Sequence, residues 1–385
     1  MVRELNVAPR VVGTAGRAAR RRATPFYLFD ARELERQIRQ WRTAAPGRVF
    51  YPYKCNRDPR IVRAAARAGL GAEVTTLADF RLARRLGLAG ARILIQGPAK
   101  TAALLDAGLA AGALFVVDGR EDGEALLERA RALGRAPRYL LRLAPRSVSS
   151  EQKTFGLPAP ALARLARALA RRGEPAADGL AFHLGTGIVS PAPYVEALGE
   201  AAAVAKALAP LGWRVATIDA GGGFAARLES RGRQPRPPGP RASAFVSALS
   251  RAARRLGLEN VRLLFEPGRA IASGAYHLVA RVVRMREGAK PVIYLDASAL
   301  SHAPFVLLGR HPVAILPRRT GRRRTVALAG PLGVTSDVFA PAVRLPPVAP
   351  GDLVVIGSVG AYNQNAANAW AGRRPPVAVT AGRQS

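Results

Sequence analysis

Cysteine is nearly absent. Cys55 is the only one in 385 residues, which excludes an internal disulfide framework and a multi-cysteine metal site. Lysine is scarce too: only Lys54, Lys100, Lys153, Lys206 and Lys290 occur, and arginine carries the rest of the positive charge. No apolar run is long enough to span a bilayer, because Arg, Asp and Glu interrupt the alanine-rich stretches. Residues 1–26 hold arginines but no uninterrupted apolar segment, so no signal peptide is read there and a cytoplasmic protein is expected. Acidic residues are few, 26 against 59 basic ones, for a formal net charge of +33. Such an excess first suggests nucleic acid. Arginine is spread along the whole chain, however, and its main runs at 17–22 and 318–324 hold no interleaved aromatics for base stacking. A nucleic-acid partner is therefore not expected, whereas attraction to anionic molecules remains open.

Apolar residues make up 49% of the chain, enough for a sizeable core. Eight short β-type runs fall at 48–54, 71–76, 92–97, 114–119, 139–144, 179–185, 216–222 and 262–268. Segments of helical period lie between them, such as 61–68 and 124–133. Eightfold strand–helix alternation predicts an α/β protein with a (β/α)8 barrel, although a doubly wound open sheet gives the same rhythm. After residue 268 the texture changes. Strand-like runs at 276–286, 291–297, 325–329 and 353–357 follow one another without a long helical pattern, which predicts a second, mostly β domain. The strand-like run at 24–30 is expected to join it. The expected division is thus 1–30, an N-terminal segment of the β domain; 31–268, the barrel; and 269–385, the C-terminal β domain. The Arg-, Pro- and Gly-rich stretch 227–241 reads as an exposed loop.

Chemistry in such a barrel sits at the carboxyl ends of the strands. The first run ends at Lys54 in a chain that has almost replaced lysine by arginine. Lysine can form an imine and arginine cannot, so Lys54 is either a Schiff-base lysine or a salt-bridged surface lysine. The sixth run ends at His183, by default a core histidine. The seventh ends in Gly221, Gly222 and Gly223, where backbone amides can approach an anion. The eighth ends in Glu266-Pro-Gly-Arg269, and loops in these places commonly hold phosphate.

The ordered motifs Pro25-Phe-Tyr-Leu-Phe-Asp30, Tyr53-Lys-Cys-Asn56, Gly97-Pro-Ala-Lys100, Lys153-Thr-Phe-Gly-Leu157, His183-Leu-Gly-Thr186, Gly221-Gly-Gly-Phe224, Glu266-Pro-Gly-Arg269, Gly330-Pro-Leu332 and Gly360-Ala-Tyr362 run through nearly the whole chain. In them the sequence resembles the fold-type III pyridoxal-phosphate decarboxylases, the ornithine/diaminopimelate decarboxylase superfamily. The resemblance implies an alanine racemase-like barrel, pyridoxal 5′-phosphate as cofactor, no metal, and a homodimer with composite active sites. It implies that Lys54 holds the cofactor as an imine, that His183 stacks on its ring, and that Glu266 pairs with the ring nitrogen. Gly221, Gly222, Gly223, Gly268, Arg269 and Tyr362 would grip its phosphate. Cys55, next to Lys54, is expected to face the other way along a strand and to serve packing.

The chain also departs from that family. The family's cysteine and the polar residue after it are here Gly333 and Val334, and of that motif's polar side chains Asp337 survives. The usual aspartate after the second strand is Glu73, and the usual Asp-Gly-Gly turn reads Asp296-Ala-Ser298. Glu73, Arg142, Asp296, His302, Val334 and Asp337 are the residues expected near the substrate. The expected activity is loss of the α-carboxylate of an amino acid as CO2, from a non-standard substrate, with a carrier-linked one among the options. The alternatives are racemisation or decarboxylation-dependent transamination through the same intermediate, or a catalytically silent regulatory homologue.

Overall fold

The computed structural model describes residues 7–147, 154–226, 241–306 and 311–380. Lys153 and residues 227–240 of the expected loop lie outside the described residues. The chain divides into two units: Ile38–Ala225 with Pro240–Gly268, and Met1–Gln37 with Ala226–Gly239 and Arg269–Ser385.

The strand β1 (Phe26–Phe29) belongs to the second of these. The first holds β2 (Phe50–Pro52), β3 (Gly71–Val74), β4 (Ile93–Ile95), β5 (Leu114–Val117), β6 (Arg138–Arg142), β7 (Gly179–Ala181), β8 (Thr217–Asp219) and β9 (Arg262–Leu264). They pair in parallel in sequence order. The ends meet where the Phe50 amide donates to Phe265 O at 2.9 Å and the Phe265 amide donates to Arg48 O at 3.0 Å. That contact decides between the two readings of the alternation: the sheet closes into a barrel.

The strands are short, apolar and buried, as strands covered on both faces must be. Phe50, Leu94, Leu114, Val116, Leu140, Ala181 and Leu264 fill the interior. Side chains beside the strand ends start several of the helices. Asp58 caps Pro59–Arg67, Thr76 caps Leu77–Arg85 and Thr101 caps Ala102–Ala111, each accepting a backbone N–H. Register sets what faces inward. Ala181, Asp219 and Leu264 lie side by side across β7, β8 and β9, so Asp219 shares the interior face with Leu264.

In the other unit β1 pairs with β10 (Tyr276–Arg286) and β16 (Ala378–Thr380). β10 also pairs with β11 (Val292–Leu295) and β15 (Leu353–Ile356). β12 (Val313–Leu316) joins β15, and β13 (Arg324–Ala329) lies between β11 and β14 (Val338–Leu345). The mostly β character is as expected, but a helix at Pro9–Ala19 was not. It buries Val11, Val12 and Ala15 against Phe26, Leu28, Val279 and Val355, and Arg10 reaches Asp30 at 2.6 Å. Arginines on its outer face mask the apolar stripe in the sequence.

Strand spacing tests the barrel. A Cβ on Gly179 would lie 1.8 Å from the Thr217 carbonyl oxygen. Gly179→Ala must therefore push β7 from β8, at a cost of about 3 kcal/mol, the upper end of ordinary overpacking. Urea unfolding should show the loss, and an unchanged midpoint would contradict this packing.

Candidate active site

Lys54 does not end a strand. Residues 53–55 form a turn after β2, closed by the Cys55 amide on Pro52 O at 3.0 Å. Cys55 is buried, so it packs as expected, though the turn and not strand alternation turns it inward. The Lys54 side chain keeps 42% of its exposure, while its Nζ donates to Glu73 Oε1 at 2.8 Å. Glu73 lies in the fully buried β3 and has no exposed surface. Burial pushes its carboxyl up, the like charge of Glu266 adds to the push, Lys54 opposes it, and the result is about 7. For Lys54, partial loss of solvent around the ammonium works against its charge, but Glu73 and Glu266 outweigh it and raise the amine.

Lys100 is the other described lysine of a quoted motif. Its side chain is 1% exposed, and its Nζ donates to Asp122 at 2.6 Å and to Gly97 O at 2.7 Å. That leaves it no room to act as an imine lysine.

His183 follows β7. Its Nδ1 accepts the Gly222 amide at 3.1 Å, which leaves the proton of the neutral ring on Nε2. Burial, with Lys54 and Arg142 nearby, pushes the ring down to about 3, so it is neutral near pH 7. A neutral imidazole suits stacking on an aromatic ring better than a buried cation would.

The three glycines after β8 bring backbone close to backbone. A Cβ on Gly221, Gly222 or Gly223 would lie 2.4, 2.5 or 2.3 Å from the carbonyl oxygens of Phe182, Glu266 and Gly185. Gly221 and Gly223 also have φ of +65° and +93°, which favours glycine. Two of the loop's amides are already engaged: Gly221 donates to Asp219 Oδ1 at 2.9 Å and Gly222 to His183. Below the loop, Tyr194 stacks on Phe224 at 4.8 Å, and Trp41 and Phe245 close the cluster.

Glu266 follows β9 and is 3% exposed. Its amide donates to Gly221 O at 2.8 Å, and Gln96 Nε2 donates to its Oε1. Burial raises it well above the carboxylate range, and the Asp219 carboxyl raises it further. Arg142 ends β6 with its Nη1 on Asp118 at 2.9 Å and its guanidinium 4.9 Å from the Phe155 ring. After Glu266, Gly268 leaves no space either: a Cβ would lie 2.7 Å from Pro52 Cγ. Lys54, Glu73, Arg142, His183, Gly221, Gly222, Gly223, Glu266 and Gly268 thus belong to one unit. The sequence reading did not single out Gln96, Asp118 or the Asp219 side chain. Asp219 alone carried a signal, as the residue before the glycine run.

The remaining expected residues belong to the other unit. Arg269 sits 5.2 Å from the centroid of the Tyr362 ring. Asp296 accepts the Arg281 amide at 2.8 Å and the Thr24 hydroxyl. Asp337 is 1% exposed and accepts Ser298 Oγ at 3.0 Å, the Ala299 amide at 2.7 Å and the Leu332 amide at 3.0 Å. His302 is buried, and its Nδ1 accepts the Ser298 amide at 3.1 Å. Val334 is 41% exposed. Gly333 has φ +70°, so the glycine at the family's cysteine position has also taken a left-handed turn. Among the described residues no cluster of three or more metal-ligating side chains occurs.

Residues 31–273 match the family described as "Pyridoxal-dependent decarboxylase, pyridoxal binding domain". The chain is 28% identical over 374 residues to a diaminopimelate decarboxylase of Zymomonas mobilis, covering 92% of this chain and 86% of that protein. It is 31% identical over 377 residues to one of Actinosynnema pretiosum, covering 93% and 84%. Among solved structures, a lysine/ornithine decarboxylase from Vibrio vulnificus complexed with cadaverine matches with a TM-score of 0.83 at 25% identity, covering 97% of this chain and 99% of that one.

The barrel residues fit pyridoxal phosphate. An amine stands beside a carboxylate able to take its proton. A neutral imidazole, a buried carboxyl pair and a backbone cradle that excludes any Cβ complete the set.

The Glu73–Lys54 pair predicts a pH dependence. The Lys54 amine must lose a proton to react, and Glu73 can accept it only when ionised, above about pH 7. The rate at which borohydride fixes pyridoxal phosphate to the protein should therefore rise as pH increases through about 7. In Glu73→Gln that inflection should vanish and the rate near pH 8 should fall roughly tenfold or more. An identical profile in the variant would remove Glu73 from this role.

Proposed function

We propose, for a chain that belongs to the pyridoxal-dependent decarboxylase family and is an amino-acid carboxy-lyase, a substrate that carries no distal ammonium. The observation behind this reading is that both carboxylates expected to receive such a group are already engaged. Asp337 is surrounded by three donors, and Asp296 by the Arg281 amide and the Thr24 hydroxyl. Val334, where relatives have a polar reader, offers no charge. An ammonium buried without a partner costs several kcal/mol. A distal carboxylate, amide, apolar group or carrier linkage meets no such penalty, and the net charge of +33 favours anionic molecules.

Bound pyridoxal phosphate supplies an electron sink for the pair of electrons left when CO2 departs. The chain's part is to hold and to orient. Lys54 is the attachment point, with Glu73 holding its Nζ. His183 keeps a neutral ring on one side. Glu266, fixed by Gln96, would pair with the ring nitrogen. Arg142 is assigned to the substrate side of the barrel. A homodimer with composite active sites belongs to the same proposal, on the strength of the family resemblance. Sedimentation at micromolar concentration should show the dimer, and a fully active monomer would rule it out.

CO2 release from a panel of amino acids tests the substrate class. Ornithine, lysine and meso-diaminopimelate should each stay below about 10⁴ M⁻¹s⁻¹ in kcat/KM. Robust turnover of any of the three would restore the substrates named for the relatives.

A further inference from the structure

Asp219 has no exposed surface, and only one of its carboxyl oxygens has a hydrogen-bond donor. Oδ1 accepts the Gly221 amide at 2.9 Å, while Oδ2 is buried without a donor among the described residues. Its place in the barrel brings it to Glu266. Asp219 lies beside Leu264 in the β8–β9 ladder, and Glu266, two residues further on, continues the same line. Gly221 couples the two, since its amide is held by Asp219 and its carbonyl receives the Glu266 amide at 2.8 Å. Each carboxyl thus sits in the field of the other.

Two carboxylates can share a hydrogen bond only if one carries a proton, and two buried ones cannot both ionise at ordinary cost. Burial raises both groups. The Gly221 amide favours the charged form of Asp219, and the Gln96 amide favours that of Glu266. Glu73 adds negative charge nearby, and Lys54 and Arg142 add positive charge. The pair therefore holds one proton between its two carboxyls.

We propose that Asp219 is a positioning residue for Glu266: the pair shares one proton, and Asp219 takes that proton over when a protonated ring nitrogen pairs with Glu266. The proton leaves a Glu266 oxygen and bonds to an Asp219 oxygen. No proton is taken up or released, and Glu266 becomes the carboxylate that the cation requires. Gln96 keeps the receiving carboxyl in place by donating to its Oε1. This inference rests on the assignment of Glu266 to the ring nitrogen, but its first readout needs no cofactor.

Infrared spectra of the cofactor-free protein near pH 8.5, where Glu73 is ionised, should show a protonated-carboxyl stretching band that Glu266→Gln removes. Asp219→Asn should remove it too, because an amide N–H donated to Glu266 favours its carboxylate. Asp219→Leu should keep the band, because Glu266 is then desolvated without a partner. Affinity for pyridoxal phosphate should then stay within about threefold in Asp219→Asn and fall roughly tenfold or more in Asp219→Leu. Circular dichroism would confirm folding, and Asp219→Asn alone decides the infrared question if the leucine variant does not fold. Absence of the band in the parent protein, or its persistence in Asp219→Asn, would overturn the proposal. If the parent protein itself bound no pyridoxal phosphate, the assignment of Glu266 to the ring nitrogen would fail, while the band would still decide whether Asp219 shares the proton.

Discussion

Glu73, sealed within β3, holds the Lys54 ammonium at 2.8 Å. A carboxylate without exposed surface is costly unless a cation answers it, and a cation on a turn stays in place only if something holds it. Each group thus supplies the other's reason for its charge. The rest of the barrel end is arranged around the same electrostatic constraint. Glu266 and Asp219 add two more buried carboxyls, Arg142 adds one cation, and His183 stays neutral. Burial raises both Asp219 and Glu266 against their charged forms.

Backbone provides the remainder. The three glycines after β8 approach carbonyl oxygens at distances no Cβ tolerates. Two of their amides are spent on Asp219 and His183, so the loop locks the side chains that surround it as much as it offers donors. In the other unit, Asp337 gathers Ser298, Ala299 and Leu332 into one buried knot. A carboxylate so engaged is a structural element, which is why its survival in the sequence does not by itself restore a receptor for ammonium.

Much of this was legible in the residues. Buried strands read as short apolar runs, and Lys54, His183, Glu266 and the glycines stood at their ends. What was not legible has physical reasons. Gln96 bonds a partner 170 positions away, and a glutamine after an apolar run carries no sign of it. The helix Pro9–Ala19 hid among arginines. β14 contains a proline and is half exposed, so it lacks the pattern of a core strand. Lys54 was read as a strand residue because the turn at 53–55 has no glycine to announce it.

The most direct test of the account is the identity of the lysine that carries the cofactor. Protein incubated with pyridoxal phosphate, reduced with borohydride and digested should yield one labelled peptide, with the adduct on Lys54. The Lys100 side chain is 1% exposed and tied to Asp122 and Gly97, so it should remain unlabelled. A label on Lys100, or no adduct on any lysine, would contradict the central claim that the Glu73–Lys54 pair is the point of attachment.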